Sequence, residues 1–256
     1  MQKQSIVDHI VSWLQAYSDK SNTNGFVIGV SGGIDSAITS TLGAKTGMPL
    51  ICVEMPIHQA QSQVDRAGDH IAWLRSHFDH VSVTRVELTK VFDDLVKALP
   101  ESKEQNLALA NTRARLRMTT LYHVAGQHGM LVLGTGNKVE DFGIGFYTKY
   151  GDGGVDLSPI ADLNKTEVYS IGQHMGIIQS IINAPPTDGL WGDDRTDEDQ
   201  IGASYPEMEW AMQFSGGEEE LNSRQREVLK IYRRLNIANK HKMVPIPVCE
   251  IPNSLR

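Results

Sequence analysis

Apolar residues along the chain recur with two alternating periods. Ile6, Ile10, Val11, Trp13 and Leu14 follow the three- and four-residue spacing of an amphipathic helix. Gly25-Phe26-Val27-Ile28-Gly29-Val30 is short and rich in β-branched residues, as a strand buried on both faces should be. It runs into Ser31-Gly32-Gly33, and Asp35 to Ala44 then reads as a helix. Leu50 to Val53 predicts a second strand, residues 60–77 a helix, and the alternation over Val81 to Leu88 a third strand. Leu107 to Gln127 predicts a long helix, and Met130 to Leu133 another buried strand. Strands alternating with helices predict an α/β fold with a doubly wound, mostly parallel sheet flanked by helices, in a single domain over residues 1–256.

The pattern weakens after Gly134. Tyr150-Gly151-Asp152-Gly153-Gly154 reads as a loop, Lys165 to Met175 as a helix, and residues 205–214 and 221–237 as helices. Asn183 to Asp199 is rich in Pro, Gly and Asp with little periodicity. It reads as a linker or as a mobile lid, placed here as a loop over 183–200 within the domain. No internal repeat or low-complexity tract interrupts the chain.

Composition narrows the class. Of 256 residues, 40% are apolar and 21% charged, the balance of a soluble globular protein. A net charge of −7 argues against a dedicated nucleic-acid binder. Cys52 and Cys249 are far apart and form no C-x-x-C pair, so neither a zinc site nor a disulfide framework is expected. No apolar run is long enough to span a bilayer, and Met1-Gln2-Lys3-Gln4 opens no signal core. A cytoplasmic location and no membrane partner are therefore expected.

The clearest chemical signal is Gly29-Val30-Ser31-Gly32-Gly33-Ile34-Asp35-Ser36, between a strand and a helix. Its glycines let the backbone turn sharply and approach an anion closely. The N–H groups opening the next helix point at that anion, Ser31 and Ser36 add hydroxyls, and Asp35 is a hard oxygen ligand for Mg²⁺. It is neither a Walker A loop nor a G-x-G-x-x-G fingerprint. S-G-G-x-D-S after a strand resembles the pyrophosphate loop of the ATP pyrophosphatases, which cleave ATP between the α and β phosphorus atoms.

A second cluster runs from Leu131 to Asp156. Read by itself it is a strand, a turn bearing Thr135 and Glu140, and a Gly-rich loop bearing Lys149, Asp152 and Asp156. Loops at the carboxyl ends of parallel strands meet in one crevice, so Glu140 is placed to meet Asp35 across one metal. Leu133-Gly134-Thr135-Gly136-Asn137-Lys138-Val139-Glu140 followed by Thr148-Lys149-Tyr150-Gly151-Asp152-Gly153-Gly154-Val155-Asp156 resembles the NAD synthetase family. So do Asn111 to Met118, Lys165 to Tyr169, Pro185 to Trp191, Thr196-Asp197-Glu198 and His241-Lys242. Two departures stand out: Val139 replaces a common serine, and Asp141 to Gly145 is a subgroup variant.

The resemblance implies the fold of the adenine nucleotide alpha hydrolases. It also implies an ammonia-dependent ligase that makes NAD from deamido-NAD, ATP and ammonia through an acyl-adenylate. By the same resemblance, Gly29 to Ser36, Thr135, Lys165 and Thr187 match ATP-binding positions, and Asp35 and Glu140 match Mg²⁺ ligands. Arg115, Lys149, Asp156, His241 and Lys242 match positions that hold deamido-NAD, and a homodimer is expected. Asp152 is our candidate for taking a proton from ammonium, and Lys165 is the second residue expected to be catalytic. A glutaminase domain has no room before the first strand, so the expected nitrogen donor is free ammonia or ammonia from a separate partner. Other ATP pyrophosphatases, such as tRNA-thiolating enzymes, and a non-catalytic nucleotide-binding module are the alternatives.

Overall fold

A computed structural model describes residues 1–101, 105–187 and 196–256. The first half alternates as the periods predict: α1 (Lys3–Ser21), β1 (Phe26–Gly29), α2 (Ile34–Lys45), β2 (Leu50–Glu54), α3 (Gln61–His77) and β3 (Val81–Arg85). Next come α4 (Thr89–Ala98), α5 (Asn106–His128) and the short β4 (Leu131–Val132). After a π-helix (Lys138–Ile144), the chain is helical: α6 (Lys165–His174), α7 (Gln179–Ile182), α8 (Asp197–Ile201), α9 (Tyr205–Gln213) and α10 (Ser223–Met243).

The described strands form one all-parallel sheet in the order β3-β2-β1-β4. Phe26 pairs with Leu50 on one side and Leu131 on the other, so β1 is central. Phe26, Val27 and Ile28 are fully buried, which explains their unbroken apolar run. Alternate side chains face opposite layers. Phe26 and Ile28 pack with Leu14 of α1, Ile38 and Leu42 of α2, Leu74 of α3 and Ile171 of α6. Val27 packs with Phe92 of α4 and Val124 of α5. Each such buried side chain contributes roughly 1.5–3 kcal/mol. A third cluster lies outside the sheet, where Val139 and Ile144 of the π-helix meet Met208 of α9 and Val228 and Leu229 of α10.

Topology places the crevice. The chain builds β1, β2 and β3 outward in one direction, then returns to add β4 on the other flank of β1. Order reverses between β1 and β4, and ligands bind outside the strand carboxyl ends at such a switch point. The phosphate loop follows β1, and Gly134 to Asn137 follow β4.

Three local readings change. The third strand ends at Arg85, because the Glu87 carboxylate accepts the Thr89 N–H at 3.2 Å and turns the chain. The α4 helix that follows is new to the reading. The turn bearing Glu140 is instead the π-helix, capped by Asn137, whose side chain accepts the N–H groups of Val139 and Glu140 at 3.1 Å each. Of the 183–200 loop, residues 188–195 fall outside the described residues; α7 ends just before it and α8 begins within it. No described helix is long and apolar enough to cross a membrane.

Candidate active site

A cavity of about 260 Å³ opens at the switch point. It is lined by the whole of Gly29 to Ser36, with Thr135, Glu140, Asp152, Lys165 and Thr187. These residues come from five separate stretches of sequence, and the sheet brings them together. The N-terminus of α2 faces the loop, so its first N–H groups are free for an anion. Within the loop, Ser31 N–H donates to Ser36 Oγ at 3.2 Å and Ser36 Oγ donates to the Gly33 carbonyl at 3.0 Å. Gly32 sits at φ +81°, and a Cβ there would lie 2.5 Å from the Gln63 carbonyl. Only glycine allows α3 to pack this close to the loop.

The charged centre is Lys165, the first residue of α6. Its start is set by Asn164, whose N–H donates to the Glu167 carboxylate at 2.9 Å. Lys165 is buried, and Nζ donates to Asp35 Oδ2 at 2.5 Å and to Glu140 Oε1 at 3.0 Å. Burial works against its charge, but the two carboxylates prevail and hold Lys165 above the usual lysine range. Burial pushes Asp35 up against the pull of Lys165, with the Glu140 charge adding to the rise. For Glu140, burial is outweighed by Lys165 and by the Tyr205 hydroxyl, which donates to Oε1 at 2.6 Å, so Glu140 stays low. Asn137 completes the set by donating Nδ2 to Asp35 Oδ1 at 3.3 Å.

Two carboxylates converging on one ammonium form a hard oxygen donor set that suits Mg²⁺. Among the described residues no group of three or more His, Cys, Asp or Glu side chains could hold a metal. A Mg²⁺ ion bound here would have Asp35 and Glu140 as its protein ligands.

A second acidic group flanks this centre. Asp152 keeps an accessible surface in a concave, protein-dense site. Lost hydration raises its carboxyl, partly offset by the Thr148 N–H, which donates to Oδ1 at 2.9 Å. Asp141 also lines the cavity, and burial together with Glu140, Asp152 and Asp35 pushes it up to about 8.

The residues matched to deamido-NAD divide. Arg115 donates Nε and Nη2 to the Lys149 carbonyl at 3.3 Å each. Lys149 Nζ donates to the His241 carbonyl at 2.9 Å, and Lys242 Nζ donates to the Tyr147 carbonyl at 2.7 Å. Tyr147 returns a hydrogen bond to the Lys242 carbonyl. These four residues thus tie the end of α10 to the Gly-rich loop beside the cavity. Asp156 stands apart: its carboxylate accepts the Tyr122 hydroxyl at 3.0 Å and the Val132 N–H at 2.8 Å.

The sequence reading gives no site role to Arg66, Asn137, Asp141 or Tyr205. Asn137 followed three residues later by Glu140 is a helix-start signature that could have been read. Asp141 beside Glu140 is visible only as a second acid. Nothing local signals that the Tyr205 hydroxyl reaches Glu140, because 65 residues separate them.

Comparison with known proteins gives the family and the fold. A protein from Mesoplasma florum, named NH(3)-dependent NAD(+) synthetase, is 38% identical over 88% of this chain and 90% of its own. The solved structure of NMN synthetase from Francisella tularensis is 26% identical with a TM-score of 0.82, covering 99% of both chains. The NH3-dependent NAD synthetase from Campylobacter jejuni shares the fold with a TM-score of 0.78 at 23% identity, over 98% of this chain and 100% of that one. Residues 6–245 match the NAD synthase family over nearly the whole fold, and the chain belongs to that family.

Proposed function

We propose that this chain forms NAD from deamido-NAD, ATP and ammonia, releasing AMP and pyrophosphate. One observation carries the reading: the phosphate loop, Lys165, Asp35, Glu140 and Asp152 all line a single cavity in a member of the NAD synthase family. The nicotinate carboxylate attacks the α-phosphorus of ATP. Its oxygen–phosphorus bond forms as the bond to the bridging oxygen breaks, and the electron pair leaves with pyrophosphate. Backbone N–H groups of the loop and α2 and the Lys165 ammonium hold the phosphates in line and offset the growing charge. Mg²⁺, when bound at Asp35 and Glu140, supplies charge neutralisation to the phosphates.

Ammonia then attacks the acyl carbon of the adenylate, and AMP departs. Ammonium cannot attack until it loses a proton, and Asp152 is the acceptor in this reading. Lost hydration in the cavity raises its carboxyl above the ordinary aspartate value, toward the acidity of ammonium. An Asp152→Asn variant with full turnover at every ammonium concentration would sink that role. Arg115, Lys149, His241 and Lys242 hold the dinucleotide in this reading, with Asp156 next to Val155 of the cavity wall.

The expected homodimer and cytoplasmic setting complete the proposal. Val91, Leu95, Leu99 and Leu107 expose apolar surface on α4 and around the start of α5, and such a face supports association of two copies. Light scattering that returned the mass of one chain would remove the dimer.

The Francisella neighbour suggests a second reading, in which the acceptor is the mononucleotide acid and the product is NMN. Both acceptors should be incubated in turn with purified protein, ATP, Mg²⁺ and ammonium, and the amide product and AMP measured together. Equimolar NAD and AMP supports the proposal. Turnover confined to the mononucleotide favours the second reading, and no AMP with either acceptor refutes both.

A further inference from the structure

Charge in the cavity is uneven. Among the described residues lining it, Asp35, Glu140, Asp141, Asp152 and Asp197 are acidic, and Lys165, Arg66 and Arg117 are basic. A triphosphate entering this space needs cations, and two of these three are shared with protein acceptors. Lys165 is held between Asp35 and Glu140. Arg117 donates Nε to the Met55 carbonyl at 3.0 Å and Nη2 to Gln59 Oε1 at 3.3 Å.

Arg66 differs. It sits on α3, half-buried, and Nε donates to the Gly32 carbonyl at 3.3 Å. It makes no ion pair with a described carboxylate. A guanidinium has five N–H donors, so its Nη groups remain available while Nε is anchored. That anchor is part of the fold. The φ of Gly32 is +81°, and a Cβ there would lie 3.2 Å from Arg66 Cβ and 3.1 Å from the Ala67 nitrogen. The backbone of α3 is therefore pressed against the phosphate loop at the point where Arg66 leaves the helix.

We propose that Arg66 is a phosphate-binding residue, which pairs with the β- and γ-phosphates of ATP and holds pyrophosphate as it departs. The inference rests on the ATP-cleaving reading above and adds a group to it. Arg66 reaches the loop from α3 while Lys165 reaches the cavity from α6, so the phosphates meet cations from two elements. A planar guanidinium fixed at Nε presents a two-pronged donor that matches phosphate oxygens. The charge it meets grows as the bond between the α-phosphorus and the bridging oxygen breaks, because the electron pair passes to pyrophosphate.

Calorimetry with inorganic pyrophosphate and Mg²⁺ tests this on the wild-type chain, Arg66→Ala and Arg66→Lys. Arg66→Ala should weaken pyrophosphate binding roughly 10- to 100-fold, and Arg66→Lys should recover part of it by keeping the charge without the fork. KM for ATP should rise in parallel, while KM for ammonium and the thermal midpoint stay unchanged. Unaltered pyrophosphate affinity in Arg66→Ala overturns the proposal. Equal weakening of every ligand together with a lower midpoint also overturns it, by marking a purely structural arginine. If the alanine variant does not fold, the lysine variant carries the same comparison. Pyrophosphate binding needs no acceptor, so wild-type binding without NAD formation would refute the reaction and leave Arg66 in place.

Discussion

Lys165 links the two carboxylates that would otherwise repel each other across the cavity. It is 2% exposed, and Asp35 and Glu140 are its ion-pair partners. Removing one member of a buried ionic cluster leaves uncompensated charge, which costs about 3–5 kcal/mol. Lys165→Ala should lose that much stability in denaturant titrations without ligand, and kcat should fall roughly 100-fold or more. Added Mg²⁺ should restore part of the lost stability, since it supplies the missing positive charge. His70 makes a separate prediction. It is fully buried, with Nε2 within 2.9 Å of Ser40 Oγ, and burial lowers it from 6.5 to about 4. Between those values the unfolded chain binds a proton that the folded chain does not. Stability is therefore complete above pH 6.5 and falls as pH drops toward 4, by about 3 kcal/mol for this group. Unfolding of His70→Asn followed across this range should show a flatter dependence than the wild type.

At the scale of elements, the π-helix decides where Glu140 points. Asn137 is fully buried, caps the first turn through Val139 and Glu140, and donates to Asp35. Asn137→Ala should cost about 1–2 kcal/mol as a lost cap and weaken cation binding, read by titrating Mn²⁺ against the protein. A stability loss with unchanged Mn²⁺ affinity would show that the cap does not position Glu140. This element also marks where legibility stopped. The phosphate loop could be read because Gly32, Gly33, Asp35 and Ser36 are local requirements of one turn and one helix start. Buried strands such as Phe26 to Ile28 could be read because both faces are covered. The π-helix depends instead on Val139 and Ile144 packing against α9 and α10, a tertiary effect with no local period. By contrast α4 carries a plain helical spacing at Val91, Phe92, Leu95, Val96 and Leu99, so it was legible in the sequence although only Phe92 is buried.

At the scale of the whole molecule, the order β3-β2-β1-β4 makes one crevice from distant segments. Predicting a parallel, doubly wound sheet was enough to place the loops after β1 and β4 together. It was not enough to place Asp156, which bonds to Tyr122 and the β4 backbone rather than to the Arg115–Lys149–His241 cluster. Nor did it foresee that α9, through Tyr205, would reach Glu140 and connect the third packing cluster to the charged centre. In this crevice a carboxylate is activated by transfer of AMP to it. Deamido-NAD carrying ¹⁸O in its nicotinate carboxyl group reports that transfer, with AMP and pyrophosphate analysed by mass spectrometry after turnover with ATP and ammonium. AMP should carry one ¹⁸O and pyrophosphate none; label in a released phosphate, with ADP as the nucleotide product, would rule out adenylation of the carboxylate.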